Sequence, residues 1–214
     1  MIAPLLACDR SEKIAPPARP SITPARAGQG ELFELTRLDP SIRLDIRYAT
    51  ANNFTGRTLY DQPRAFLVQP AAKALARAHK AAAAEGYGVT IFDAYRPWRI
   101  TKALWDATPP GPQRNYEDNK KKGSKHNRGC AVDLSLHRLD TGALVEMPSG
   151  YDEFTQRAHR DFMAASPEAI ANRARLEGWM EAEGFRGISN EWWHFDFAGW
   201  EDFPILDIAF DEIG

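Results

Sequence analysis

The sequence is poor in cysteine and histidine and has no charge excess of either sign. Two cysteines, Cys8 and Cys130, cannot build a disulfide framework, and neither belongs to a Cys-x-x-Cys pair, so thiolate zinc is excluded as well. Cys130 reads as a small buried residue. A formal net charge of −2 provides no broad basic surface for nucleic acid, and the run Lys120–Lys122 is a local, solvated feature. No apolar stretch approaches the roughly 20 residues that cross a bilayer. With thiolates excluded, any metal site must come from carboxylates and the five histidines, at 79, 126, 137, 159 and 194.

What is present is an ordinary globular composition, 43% hydrophobic and 26% charged, over 214 residues. That length gives one domain a sizeable core. Residues 1–30 stand apart: Ser11 to Gly30 is rich in Pro, Ala and small polar residues and reads as a flexible leader or tether. Before it stands Leu5-Leu6-Ala7-Cys8, similar to the end of a bacterial lipoprotein signal, in which the cysteine is lipidated. Only seven residues precede Cys8, too few for a charged start and an apolar core. The expectation is a possible lipid anchor at Cys8 and a periplasmic or envelope location, with a plain terminus and a cytoplasmic location as the alternative.

Residues 31–214 read as one domain without internal repeats. Leu44 to Tyr48 predicts a short strand. Pro70 to Glu85 predicts an Ala-rich helix stopped at Gly86. Gly88 to Ala94 predicts a strand, Pro97 to Trp105 a short helix, and Thr108 to Gly123 a long loop or lid. Cys130 to Leu136 alternates, with Cys130, Val132, Leu134 and Leu136 on one face and Ala131, Asp133 and Ser135 on the other. A turn at Asp140–Gly142 follows, then helices over Tyr151–Ala164 and Pro167–Glu183, the second capped by Ser166 and closed by Gly184. Glu191 to Phe197 predicts a last aromatic strand. Strands and helices mix without regular alternation, which favours α+β.

Three short patterns carry chemistry. In Ser124-x-His126-x-x-Gly129-x-Ala131-x-Asp133, Asp133 projects from the less apolar strand face and His126 sits on the loop before it. Gly129 permits the sharp turn that would let both side chains converge. Alone, this pair equally describes a surface salt bridge. Glu191-Trp192-Trp193-His194 alone equally describes a capped core strand. Alternation places Glu191 and His194 on opposite faces, so a shared site needs a bulge or a re-aimed strand end.

Together they supply two histidines and a carboxylate, a standard ligand set for catalytic zinc that leaves a fourth position open. Glu191 is then the natural non-ligand carboxylate to accept a proton from water and pass it to a leaving amine. The third pattern, Asp93-Ala94-Tyr95-Arg96-Pro97, puts Arg96 at a strand end. There it would either face a developing oxyanion or form a structural pair with Asp93.

These patterns, in this chain order, resemble the D-alanyl-D-alanine dipeptidases of the vancomycin-resistance type, within the zinc D,D-peptidases related in fold to the Hedgehog signalling domain. Tyr48-Ala49-Thr50, Asn53-Phe54-Thr55-Gly56, Gly86-Tyr87-Gly88 and Arg138–Gly142 extend the likeness from about residue 40 to 197. The resemblance implies an α+β fold with a central antiparallel sheet flanked by helices. It implies one zinc per chain on His126, Asp133 and His194, Glu191 as base and acid, and Arg96 at the tetrahedral intermediate. It also implies Tyr48 and Asp152 near the substrate's free amino group, with Ser124 lining the pocket. The expected partner is a small D,D-dipeptide. A D,D- or L,D-carboxypeptidase trimming longer peptidoglycan stems and a catalytically silent zinc module are the alternatives. Cys130 and Asn127 depart from relatives only at non-ligand positions. His79, His137 and His159 are expected in surface or structural roles, with His159 on the helix after Asp152.

Overall fold

A computed structural model describes residues 30–108 and 123–214; the leader with Cys8, and nearly all of the expected loop 108–123, lie outside the described residues. In chain order the elements are β1 (Leu32–Glu34), α1 (Leu35–Leu38), β2 (Arg43–Leu44), β3 (Phe66–Val68), α2 (Gln69–Ala84), β4 (Tyr87–Asp93), α3 (Trp98–Ala107), β5 (Ala131–Arg138), α4 (Pro167–Ala182), β6 (Phe185–Ile188) and β7 (Glu191–Phe197). Five strands form the main sheet in the order β2-β4-β5-β7-β6, and β1 pairs with β3 beside it. Every pairing is antiparallel except β2 with β4, which is parallel. The α+β expectation holds.

The long helices follow their sequence signals. Pro70 occupies the first turn of α2, where its missing N–H costs nothing, and the Ser166 hydroxyl accepts from the amide of Ala169 to cap α4. Gly86 and Gly184 follow these helices at φ +84° and +85°. α2 turns Ala71, Ala74, Leu75, Ala78 and Ala82 inward, and this run of small residues lets it lie close on β4 and α4. The core it helps close includes Leu35, Phe66, Leu67, Ile91, Leu134, Phe185 and Phe195, all fully buried. Each such side chain removes enough apolar surface from water to contribute roughly 1.5–3 kcal/mol. Cys130 is buried as expected, and burial pushes its thiol up to about 12.

Two expected elements are different. Of the expected strand Leu44 to Tyr48 only Leu44 is extended, as the end of β2, and a 3-10 turn over Arg47–Ala49 follows, where Asp45 binds Arg47 and the turn carries Tyr48 into the core. Tyr151 to Ala164 is not a helix; it contains only a 3-10 turn at Gln156–Ala158, and His159 lies just past that turn. Here side-chain anchors override propensity. Asp152 takes φ +58°, the Arg160 guanidinium donates to the carbonyls of Ile188, Trp192 and His194, and the Thr155 hydroxyl accepts from Arg157. β1, β3 and β6 are too short to leave an alternation pattern.

His79 and His137 are structural. His79 Nδ1 accepts from the Val89 amide, so its Nε2 carries the proton and donates to Ser41. His137 lies opposite Gly88 across β4 and β5, where a Cβ on residue 88 would sit 2.4 Å from the ring. Burial lowers both imidazoles below their ordinary range, against a smaller raising pull on His79 from Asp39 and with Arg43 adding to the lowering on His137. At these two positions the unfolded chain therefore takes up protons that the folded chain refuses once pH falls below about 6.5, and their contribution to stability declines from there. Between about pH 7.5 and pH 5.5 the urea midpoint of His79→Gln should lose less than that of the parent, because the variant lacks this contribution. An identical decline in that variant would remove His79 from the explanation.

Candidate functional site

The site begins as a row across the sheet. Asp133 at the start of β5 pairs with Asp93 at the end of β4 on one side and with His194 on β7 on the other. A register shift between Ile91 and Asp93 brings Asp93, rather than Phe92, into this row. Cross-strand partners share a sheet face, so three polar side chains meet there, 1%, 3% and 5% exposed. Buried polar groups of this kind must be hydrogen-bonded or paired.

His126 reaches the row from the 3-10 turn His126–Arg128. Gly129 closes that turn at φ +65°, where a Cβ would meet Leu32 at 2.7 Å and the Val68 amide at 3.2 Å. The Ser124 hydroxyl accepts from the His126 amide, and the Asn127 side chain accepts from Ser124 and donates to Arg96 O and Thr101. Ser124 is thus buried under the turn, and it is not among the side chains lining the pocket.

Hydrogen bonds fix both imidazole tautomers. His126 Nδ1 lies 2.7 Å from the carbonyl of Ala94, which can only accept, so Nδ1 carries the proton and Nε2 is free to donate electrons. His194 Nε2 lies 2.8 Å from Asp196 Oδ1, which leaves Nδ1 as its donor atom. Those two nitrogens are 3.2 Å apart, and Asp133 Oδ1 is 3.4 Å from the first and 3.0 Å from the second. Ligands about 2.0–2.1 Å from a tetrahedral ion are separated by about 3.3 Å, so this triangle fits zinc without rearrangement. His126, Asp133 and His194 form such a donor group among the described residues.

The surrounding carboxylates favour positive charge at this point. Burial alone would raise Asp133, but His126 and His194 outweigh it and hold its carboxyl well below the ordinary range. Burial opposes charge on His194 too, yet Asp133 and Asp196 raise it well above its usual value. Asp196 also receives Lys125 Nζ at 3.2 Å.

Glu191 and His194 do face one pocket, despite the parity of a regular strand. β6 pairs Gly187 with Phe195 but Ile188 with Glu191, so residues 192–194 are inserted in β7 relative to its neighbour. That irregularity re-aims the strand start, and Glu191 Oε2 comes within 3.9 Å of His194 Nδ1. Arg96 forms the structural pair with Asp93 and also reaches the pocket. Its Nε and Nη2 bind Asp93 Oδ2 at 2.9 and 2.8 Å, while the guanidinium lines the pocket over the Tyr48 ring, 4.0 Å from Asp133 Oδ2. Tyr60 and the Ala94 amide donate to Asp93's other oxygen, so this buried carboxylate is fully bound.

On another wall Tyr48 donates to Asp152 Oδ2 at 3.0 Å. Burial and then the charge of Asp133 push the Asp152 carboxyl well above its ordinary value, with Tyr48 opposing. Phe54 and Phe154, edge to face at 5.2 Å, complete an apolar rim with Ile188 and Trp193. Sequence reasoning passed over Asp196, Lys125, Tyr151, Phe54 and Phe154. Asp196 had a signal, since it stands two residues after His194 on the same strand face. The two phenylalanines come from irregular segments that offer none.

The family model described as D-ala-D-ala dipeptidase (Peptidase_M15) matches residues 29–207. The chain is 39% identical over 176 residues to the D-alanyl-D-alanine dipeptidase of Escherichia coli (strain K12), covering 82% of this chain and 89% of that protein. It is 37% identical over 187 residues to the protein of the same name from Enterococcus faecium, covering 77% and 93% respectively.

The outer carboxylate should matter to the metal. Asp196→Ala removes the acceptor that fixes the His194 tautomer, and zinc affinity, measured by chelator competition, should fall about 10- to 100-fold. Unchanged affinity would show that the tautomer needs no such support.

Proposed function

The chain belongs to the M15 family of D-alanyl-D-alanine dipeptidases, and on that premise we propose that it hydrolyses D-alanyl-D-alanine or a similar small D,D-dipeptide at a zinc centre formed by His126, Asp133 and His194. One juxtaposition carries the reading. The donor triangle, the Glu191 carboxylate and the Tyr48–Asp152 pair line the same pocket.

Bound there, zinc would supply Lewis acidity to water and to the substrate carbonyl. Glu191, outside the donor triangle, takes the proton from the attacking water and returns it to the departing amine. Arg96, held by Asp93, presents fixed positive charge beside the site where the carbonyl oxygen becomes anionic. Its orientation is set before substrate arrives, so little reorganisation accompanies the charge development. Ser124 acts beneath the site, by holding the turn that presents His126.

Asp152 and Tyr48 recognise the substrate's amino end. Asp152 lies near the carboxylates of Asp133 and Glu191, whose charge opposes its own ionisation, and an incoming ammonium offsets that repulsion. A substrate extended by acylation carries no such charge and leaves Asp152 uncompensated, which disfavours longer stem peptides.

Purified, zinc-loaded protein should release D-alanine from the free dipeptide and act poorly on its N-acetyl derivative. Glu191→Gln should lower kcat by about 10² to 10⁴. Asp152→Asn should raise KM for the free dipeptide roughly 10- to 100-fold, with far less effect on the blocked one. Preference for blocked or pentapeptide substrates would favour a carboxypeptidase. Zinc binding without hydrolysis of any peptide would favour a silent metal module.

Among the described residues no helix is long and apolar enough to cross a membrane. From Leu5-Leu6-Ala7-Cys8 we also propose that Cys8 is lipidated and the protein is held in the cell envelope. Labelled fatty acid should be incorporated into the full chain in bacteria and be lost in Cys8→Ala. An unlabelled, freely soluble protein would contradict the anchor.

A further inference from the structure

Tyr151 has no part in the chemistry described above, yet its hydroxyl enters the metal site. It donates to Asp133 Oδ2 at 3.1 Å, the oxygen turned away from the two imidazoles. Arg96 Nη2 stands farther from that oxygen, at 4.0 Å. Asp133 is 3% exposed, so water has little access to replace a lost donor. The Tyr151 ring is fixed from three sides, at 4.8 Å from Phe92, 5.5 Å from Trp193 and 6.3 Å from Tyr48 between centroids. A ring so held delivers its hydroxyl to one place.

The backbone explains how the residue gets there. Successive side chains of an extended chain point to opposite sides. Asp152 is the one non-glycine residue at positive φ among the described residues, at +58°. That left-handed turn carries strain for a residue with a Cβ. It lets neighbours 151 and 152 serve the same pocket, Tyr151 on the ligand Asp133 and Asp152 with Tyr48.

We propose that Tyr151 is a positioning residue for the metal: its hydroxyl occupies Asp133 Oδ2, so that the carboxylate presents Oδ1 alone to the ion. A carboxylate with both oxygens free can swing to chelate an ion through both. That would consume the open coordination position that the substrate or water needs. By holding one oxygen, Tyr151 keeps the centre at three protein ligand atoms. Because Asp152 is its chain neighbour, the same strained turn ties the ligand's orientation to the group that recognises the substrate amine.

The inference rests on the zinc reading of this site. Tyr151→Phe keeps the ring and its packing and removes only the hydroxyl, so the thermal midpoint of the metal-free variant should stay close to that of the parent. Zinc affinity, by chelator competition, should fall about tenfold or more. The visible absorption of the cobalt-substituted protein should shift and weaken as a second carboxylate oxygen binds. In turnover, kcat for the dipeptide should drop while KM changes less than about twofold, because Asp152 is untouched. Tyr151→Leu, which also disturbs the packing, serves as the control and should lose thermal stability as well. Zinc affinity and cobalt spectrum both unchanged in Tyr151→Phe would overturn the proposal, and a drop in KM-dependent terms alone would do so too. A parent protein that takes up no zinc would instead sink the underlying metal reading.

Discussion

Asp133 is a buried carboxylate, and the rest of the site is arranged around the cost of keeping it charged. An ionised group 3% exposed persists only when paired and hydrogen-bonded. Here two imidazole nitrogens face one oxygen across the space a metal ion would fill, and a tyrosine hydroxyl donates to the other, with a guanidinium close by. Each partner is in turn held: His126 by a backbone carbonyl, His194 by Asp196, Arg96 by Asp93. Removing one member leaves another buried polar group unsatisfied, so the site behaves as a unit.

The sheet supplies the precision. Asp93, Asp133 and His194 come from three adjacent strands, and ladder hydrogen bonds fix their separation better than a loop would. Two irregularities then adjust what a regular sheet would present. One brings Asp93 into the row; the other turns Glu191 to the side occupied by His194. The recognition end is built differently, from irregular chain at residues 48–54 and 151–154 packed by aromatic contacts. The donor group sits on the sheet and the turn before β5, and the opposite wall of the pocket on loops.

That division explains what the sequence disclosed. Helices α2 and α4 were legible because Pro70, Ser166, Gly86 and Gly184 mark their ends with residues of specific physical use. β4, β5 and β7 were legible from length and alternation, and the clustering of His126, Asp133 and His194 from pairing two weak patterns. The segment 151–164 reads as a helix in sequence and is not one, because its fate depends on distant anchors, such as Arg160 reaching the carbonyls of β7. Helix propensity contains no information about them. The parity conflict between Glu191 and His194 was visible, but its resolution needed the partner strand β6. Arg96 was posed as either structural or functional, whereas one guanidinium has enough donors to be both.

The proposed centre places one metal ion on three particular atoms. Crystals of the protein grown with zinc and measured on both sides of the zinc absorption edge test this directly. The expected result is a single anomalous peak about 2.0–2.2 Å from His126 Nε2, Asp133 Oδ1 and His194 Nδ1. A peak that excludes any of these three atoms, or coordination through the opposite nitrogen of either histidine, would contradict the account.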